Sequence, residues 1–214
     1  MKRAFLSVVA ALLAGGVARA DANTMSRIVF HQAGPDIDPA SFAARPKTIY
    51  QWGAEKGRVE EATDPEHQLT GLLIVDGADA WMLNLYAQTG NHVIDPGPTH
   101  NFYVPIVPPT GAHAKPPVSD FLIGHELEFM QHHQAQPVAT QRDDKAAQFY
   151  QCEAEGYTLQ LYVDATTRLP VESDVLKDGK VITRLIYDDY EPALPADPSL
   201  FRPPAGLLIS DGPP

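Results

Sequence analysis

The 214 residues carry 16 basic and 27 acidic side chains, a formal charge of −11, together with 20 prolines and one cysteine. So acidic a chain repels nucleic acid and anionic lipid headgroups at long range, which argues against both as partners. A single cysteine permits no internal disulfide, so burial alone must hold the fold together.

The chain opens on "MKRAFLSVVAALLAGGVARA". A basic start at Lys2 and Arg3, an apolar run from Ala4 to Leu13 and the small-x-small tripeptide Ala18-Arg19-Ala20 predict a signal peptide over residues 1–20, cleaved before Asp21. The run is too short to span a membrane. No cysteine stands at the cleavage point to take a lipid, and no later stretch is apolar enough for a transmembrane helix. The expectation is an exported chain, periplasmic in a Gram-negative bacterium. Loss of Lys2, Arg3 and Arg19 takes the 16 basic residues to 13, and the charge to −14. What remains is enough for one domain with a substantial core.

In "SRIVFHQ" a short strand is expected, then loop with one helical turn after Asp38. From Lys47 the period becomes two. "KTIYQWGAEKGRVEEAT" reads as two strands joined at Glu55-Lys56-Gly57. In "GLLIVDGADAWMLNLY" the Asp76-Gly77 pair signals a hairpin. Its second arm puts Trp81, Leu83 and Leu85 on one face and Met82, Asn84 and Tyr86 on the other. The proline-rich stretch that follows forbids a central strand or long helix. It is expected to run over the surface, with one edge strand near Phe102 to Val107.

"GHELEFMQHH", residues 124–133, begins like a zinc-protease helix. As a strand it would turn Leu127 and Phe129 inward and Glu126 and Glu128 outward. As a helix, which fits better, it brings Glu128 and His132 onto the face of His125 and makes an apolar stripe with Phe121, Leu122, Ile123, Leu127 and Met130. Ser119 or Asp120 would be its N-cap. The metal pattern is incomplete, because Phe129 stands where H-E-x-x-H needs its second histidine. The expected use is to lay Leu127 and Met130 against a sheet while Glu126, Glu128 and His132 meet water.

Two more hairpins follow, turning at Glu155-Gly156 and Asp178-Gly179. Tyr157, Leu159, Leu161 and Val163 share a face, as do Val181, Thr183, Leu185 and Tyr187. Cys152 lies within a strand with no basic neighbour and reads as an inert, buried thiol. His92, His100 and His113 read as surface histidines. No G-x-S-x-G elbow or glycine-rich phosphate loop is present. Phe201 is the anchor of the proline-bounded tail. The fold expected is mainly β, an α+β arrangement of a large curved antiparallel sheet with one or two short helices.

Four stretches in order, "YQWGAEKGRVEE", "LLIVDGADAWMLNLY", "GYTLQLYVDATTRLPVESDV" and "YEPALPADPSLFRPPAG", resemble the lipoprotein-sorting carrier superfamily, the LolA/LolB-like fold. The resemblance covers Lys47 to Gly206. It implies an unclosed β-barrel, or half-barrel, over 47–206, with 21–46 as a mixed N-terminal segment of the same domain and 207–214 as a tail. It also implies carrier or chaperone activity without chemistry, with no cofactor or metal and with a lipid or lipoprotein acyl chain held on the concave face. Trp52, Trp81, Leu83, Leu85, Leu159 and Leu161 are the residues expected to line that groove. The alternative is the same fold acting as a sensor or interaction module for an envelope protein, its groove filled by its own side chains. A metal-dependent hydrolase built on residues 125–133 ranks last.

Overall fold

A computed structural model describes residues 23–107, 116 and 118–212. The expected signal peptide and His113 lie outside the described residues. Two meanders are joined at a central seam. The first comprises β2 (Lys47–Trp52), β3 (Lys56–Glu61), β4 (Gly71–Asp76), β5 (Asp79–Asn84) and β6 (Thr89–Ile94). The second comprises β7 (Val138–Arg142), β8 (Lys145–Ala154), β9 (Tyr157–Asp164), β10 (Pro170–Lys177) and β11 (Lys180–Pro195). The first strand, β1 (Thr24–Ala33), lies between β2 and β11, and the last, β12 (Leu208–Asp211), adds to β6. The order is β12-β6-β5-β4-β3-β2-β1-β11-β10-β9-β8-β7, one twelve-stranded sheet that does not close into a barrel.

Turn chemistry sets most of the registers. The two-residue loops at Asp143-Asp144, Glu155-Gly156 and Asp178-Gly179 hold positive φ at both positions, the conformation that matches strand twist in a hairpin. At Asp76↔Asp79 only Gly77, the first loop residue, has positive φ. The turn between β2 and β3 is Gly53-Ala54-Glu55, slightly earlier than expected, and Lys56 already pairs with Trp52. Register shifts in β1·β11 at Met25/Arg27 and Val29/Phe30, and in β9·β10 and β10·β11, add local twist and bend the sheet.

Three corrections to the expected outline have physical causes. β6 is a full strand between β5 and β12, because its residues precede the first proline of the irregular stretch. β12 makes the sheet's parallel pair, with Leu208 opposite Thr89 and Asp211 opposite His92. Residues 102–107 are not an edge strand: they form one isolated bridge, Pro105↔Leu122, and run across a face of the sheet. Phe102, Ile106 and Val107 are buried there. Proline removes ladder donors but does not prevent side chains from packing.

That crossing segment and helix α1 (Glu126–His132) cover one face. Ile28, Ile49, Phe102, Ile106, Phe121, Phe129, Met130, Leu159, Leu161 and Leu185 belong to one buried cluster, the main core. Phe102 sits so close to Gly57 that a Cβ there would lie 2.0 Å from its ring. At the other side of the core, Met130 Sδ is 3.6 Å from Cys152 Sγ. A cover that reaches both β3 and β8, six strands apart, requires the sheet to curl around it. On the opposite face, Met25, Leu72, Ile74 and Leu83 pack with Phe201 into a second cluster. Phe201 is 1% exposed, and the tail is tied down where Arg58 Nη1 donates to the Leu200 carbonyl at 2.9 Å.

Candidate functional site

Side chains of directly paired residues share a face. Ile28, Ile49, Val59, Leu73, Met82 and Asn91 therefore form one row from β1 across to β6. At its inner end the row is sealed: Ile28 is 1% and Ile49 2% exposed. At its outer end Met82 is 39% exposed. The crossing segment covers the start of the row and leaves the end open. Between them lies an apolar groove of about 600 Å³, walled by Val59, Leu73 and Met82 on the sheet and roofed by Tyr103, Val104 and Pro105. Its size falls within the range of small-molecule pockets.

The sequence-expected lining residues divide between the two faces. Leu159 and Leu161 are on the covered face but fully buried in the main core beneath α1. Trp52, Trp81 and Leu85 pack on the opposite face with Phe201 and Leu200, and the Trp52 and Phe201 rings are 5.8 Å apart. Leu83 packs in that same cluster and also borders the groove. Both faces of β4 and β5 are apolar because the tail covers one and the crossing segment the other. Alternation alone therefore did not separate lining from core. The groove residues that went unread, Leu73 and Met82, are the other parity of the same hairpin. Tyr103 and Val104 were hidden by their prolines.

A second cavity, about 1010 Å³, opens beside the start of α1 and is lined by Ser26, Gln51, Tyr103, His125, Glu128 and Tyr190, among others. The N-cap position falls at His125, which makes no side-chain capping bond, rather than at Ser119 or Asp120. His125 Nδ1, part-exposed, lies 3.1 Å from Oε2 of the exposed Glu128. His132 is exposed and meets His133 edge-on at 5.7 Å. Among the described residues, no group of three His, Cys, Asp or Glu side chains is arranged to hold a metal ion.

Glu126 does not meet water, contrary to expectation. It is 1% exposed: Gly124 N–H donates to its Oε1 at 2.9 Å, and Tyr187 donates a short hydrogen bond to the same oxygen. Its Oε2 has no hydrogen-bond partner. Burial pushes this carboxyl up to about 6, against the bonds from Tyr187 and the backbone. Burial raises the Cys152 thiol to about 11, so at neutral pH it is a thiol rather than a nucleophile. His92 is no free surface histidine. It stacks on Trp81 at 5.0 Å, with Nε2 2.7 Å from Asp79 and Nδ1 3.2 Å from Asp211.

No family profile matches the sequence, and no curated protein matches it. Solved structures do. An uncharacterized conserved protein from Thermus thermophilus superposes with a TM-score of 0.51 at 10% identity, over 89% of this chain and 91% of that one. The Pseudomonas aeruginosa MucA/MucB complex gives 0.45 at 13% identity, covering 89% of this chain and 59% of the matched chain. A LolA superfamily protein from Nitrosomonas europaea gives 0.32 at 13% identity, over 85% and 90%. At 10% identity the Thermus thermophilus likeness speaks to fold alone.

Proposed function

We propose that the chain is an exported, non-enzymatic periplasmic protein that holds a hydrophobic ligand, a lipid or acyl chain, in the groove under Tyr103, Val104 and Pro105. The observation that carries this reading is an open apolar space of about 600 Å³ on the covered face, continuous with the core row through Val59 and Leu73. Removing an alkyl chain from water into such a space contributes about 0.8 kcal/mol per methylene. In this reading Leu83 keeps a place at the groove, while Trp52, Trp81, Leu85, Leu159 and Leu161 act through packing.

The test is direct. Delipidated protein is incubated with membrane extract, repurified and examined by mass spectrometry for bound lipid. In parallel, a neutral fluorescent alkyl probe is titrated. Met82→Trp fills the open end of the groove and is expected to weaken probe binding at least about tenfold, a loss the size of one or two buried methylenes. Its melting temperature should hold, since Met82 is already part-exposed. No captured lipid and no probe binding by the wild-type protein would overturn the reading in favour of an interaction module for an envelope protein.

A further inference from the structure

Tyr103 lines both the apolar groove and the larger space beside α1. Their chemistry differs. The groove is mostly apolar, with Glu61, Asn84, Thr89 and Asn91 among its lining; the larger space presents Gln51, Asn101, His125, Glu128 and Tyr190. Among the described residues neither wall carries a lysine or an arginine, and the carboxylates on them are Glu61 and Glu128. Glu61 lies near the Lys47 ammonium, which it stabilises. Glu128 is bonded to His125, an imidazole that leaves the carboxylate charge in place while neutral. Behind the wall stands Glu126, whose Oε1 is held by the Gly124 amide and whose Oε2 is unpartnered. Tyr190, whose hydroxyl donates to the Gly124 carbonyl at 3.4 Å, registers this field: burial, then Glu126 and Glu128, raise its phenol.

We infer that the ligand is a single-chain amphiphile with a cationic ammonium head, its alkyl chain between Leu73, Met82 and Val104 and its head against Tyr103, Tyr190 and Glu128. This rests on the groove reading above and adds the ligand's charge to it. Aromatic faces and a carboxylate attract an ammonium head. An anionic head in the same place meets like charge and no cation to receive it.

Three ten-carbon probes separate the two ideas: decyltrimethylammonium, decan-1-ol and decanoate. Each is titrated into the delipidated full chain below micelle formation, at about 0.15 M salt, where long-range attraction to the acidic surface is largely screened. The expected order is ammonium, then alcohol, then carboxylate, with about fivefold between the ends, as an exposed charge contact allows. Glu128→Gln is expected to bring ammonium affinity down to that of the alcohol. Decanoate binding as tightly as the ammonium probe overturns the inference and leaves the groove reading standing. So does a Glu128→Gln protein that keeps the full preference, because general surface charge then accounts for it. Failure of decan-1-ol to bind overturns the groove reading itself.

Discussion

At the scale of single residues, Glu126 and Gly57 hold the cover in place by opposite means. Glu126 is a buried carboxyl raised to about 6 from an ordinary 4.5. The folded state therefore keeps its proton over a range where the unfolded state loses it. Its contribution favours folding most below about pH 4.5 and declines as pH rises through 6, a loss of about 2 kcal/mol in total. Glu126→Gln should abolish that decline, so denaturation curves of wild type and variant between pH 4 and 7.5 should diverge in favour of the variant as pH rises. Parallel curves would sink this account. Gly57 acts by absence: Phe102 occupies the place of its missing Cβ. Gly57→Ala should cost about 1–3 kcal/mol by overpacking. By displacing Phe102 it should also disturb the neighbouring Tyr103 and Val104, weakening probe binding along with stability. The sequence showed neither role. A glutamate at a helix start reads as solvated until the fold buries it, and Gly57 reads as a turn residue until its register opposite Gln51 is known.

At the scale of elements, legibility followed turn chemistry. Asp76-Gly77, Glu155-Gly156 and Asp178-Gly179 announced their hairpins because the loops need positive φ. Strands β6 and β12 gave no such signal: one is polar and part-exposed, the other short and edge-lying. The seven residues of α1 were legible as an amphipathic helix but not in which polar group it buries. Beside the backbone ladder, β12 is bridged by His92, whose two ring nitrogens face the carboxylates of Asp79 on β5 and Asp211 on β12. Only the imidazolium can donate to both. The hydrogen bonds to Asp79 and Asp211 raise its pKa from an ordinary 6.5. The bridge is thus fully present below 6.5 and is lost as pH rises through the raised value. Hydrogen exchange at Leu208 and Gly212, whose amides bond to the carbonyls of Gln88 and His92, should speed up over that interval beyond the intrinsic rate. In His92→Gln the protection should be low throughout, and equal pH profiles for the two proteins would count against the bridge.

At the scale of the whole molecule, the two meanders meet through β1 and β11, paired from Thr24↔Pro195 to Ala33↔Arg184. Arg27 reinforces the join with Asp189 at 2.8 Å and Glu191 at 2.6 Å. The order of hairpins was readable along the chain, but this pairing was not, because no local pattern links residues some 160 positions apart. A chain ending at Gly179 lacks β11 and leaves β1 with one neighbour. It should lose the single cooperative urea transition expected of the full chain, and retention of that transition would contradict the central role of the seam. The seam also sets a timetable. During synthesis β1 emerges among the first described strands, yet its partner is made only when residues 184–195 are added. Nascent lengths from about residue 94 to residue 184 have β2 through β6 able to pair locally and β1 exposed along one edge. A sheet whose central pair joins residues 24–33 to 184–195 cannot finish before residue 195 is made, so the chain stays threadable until then.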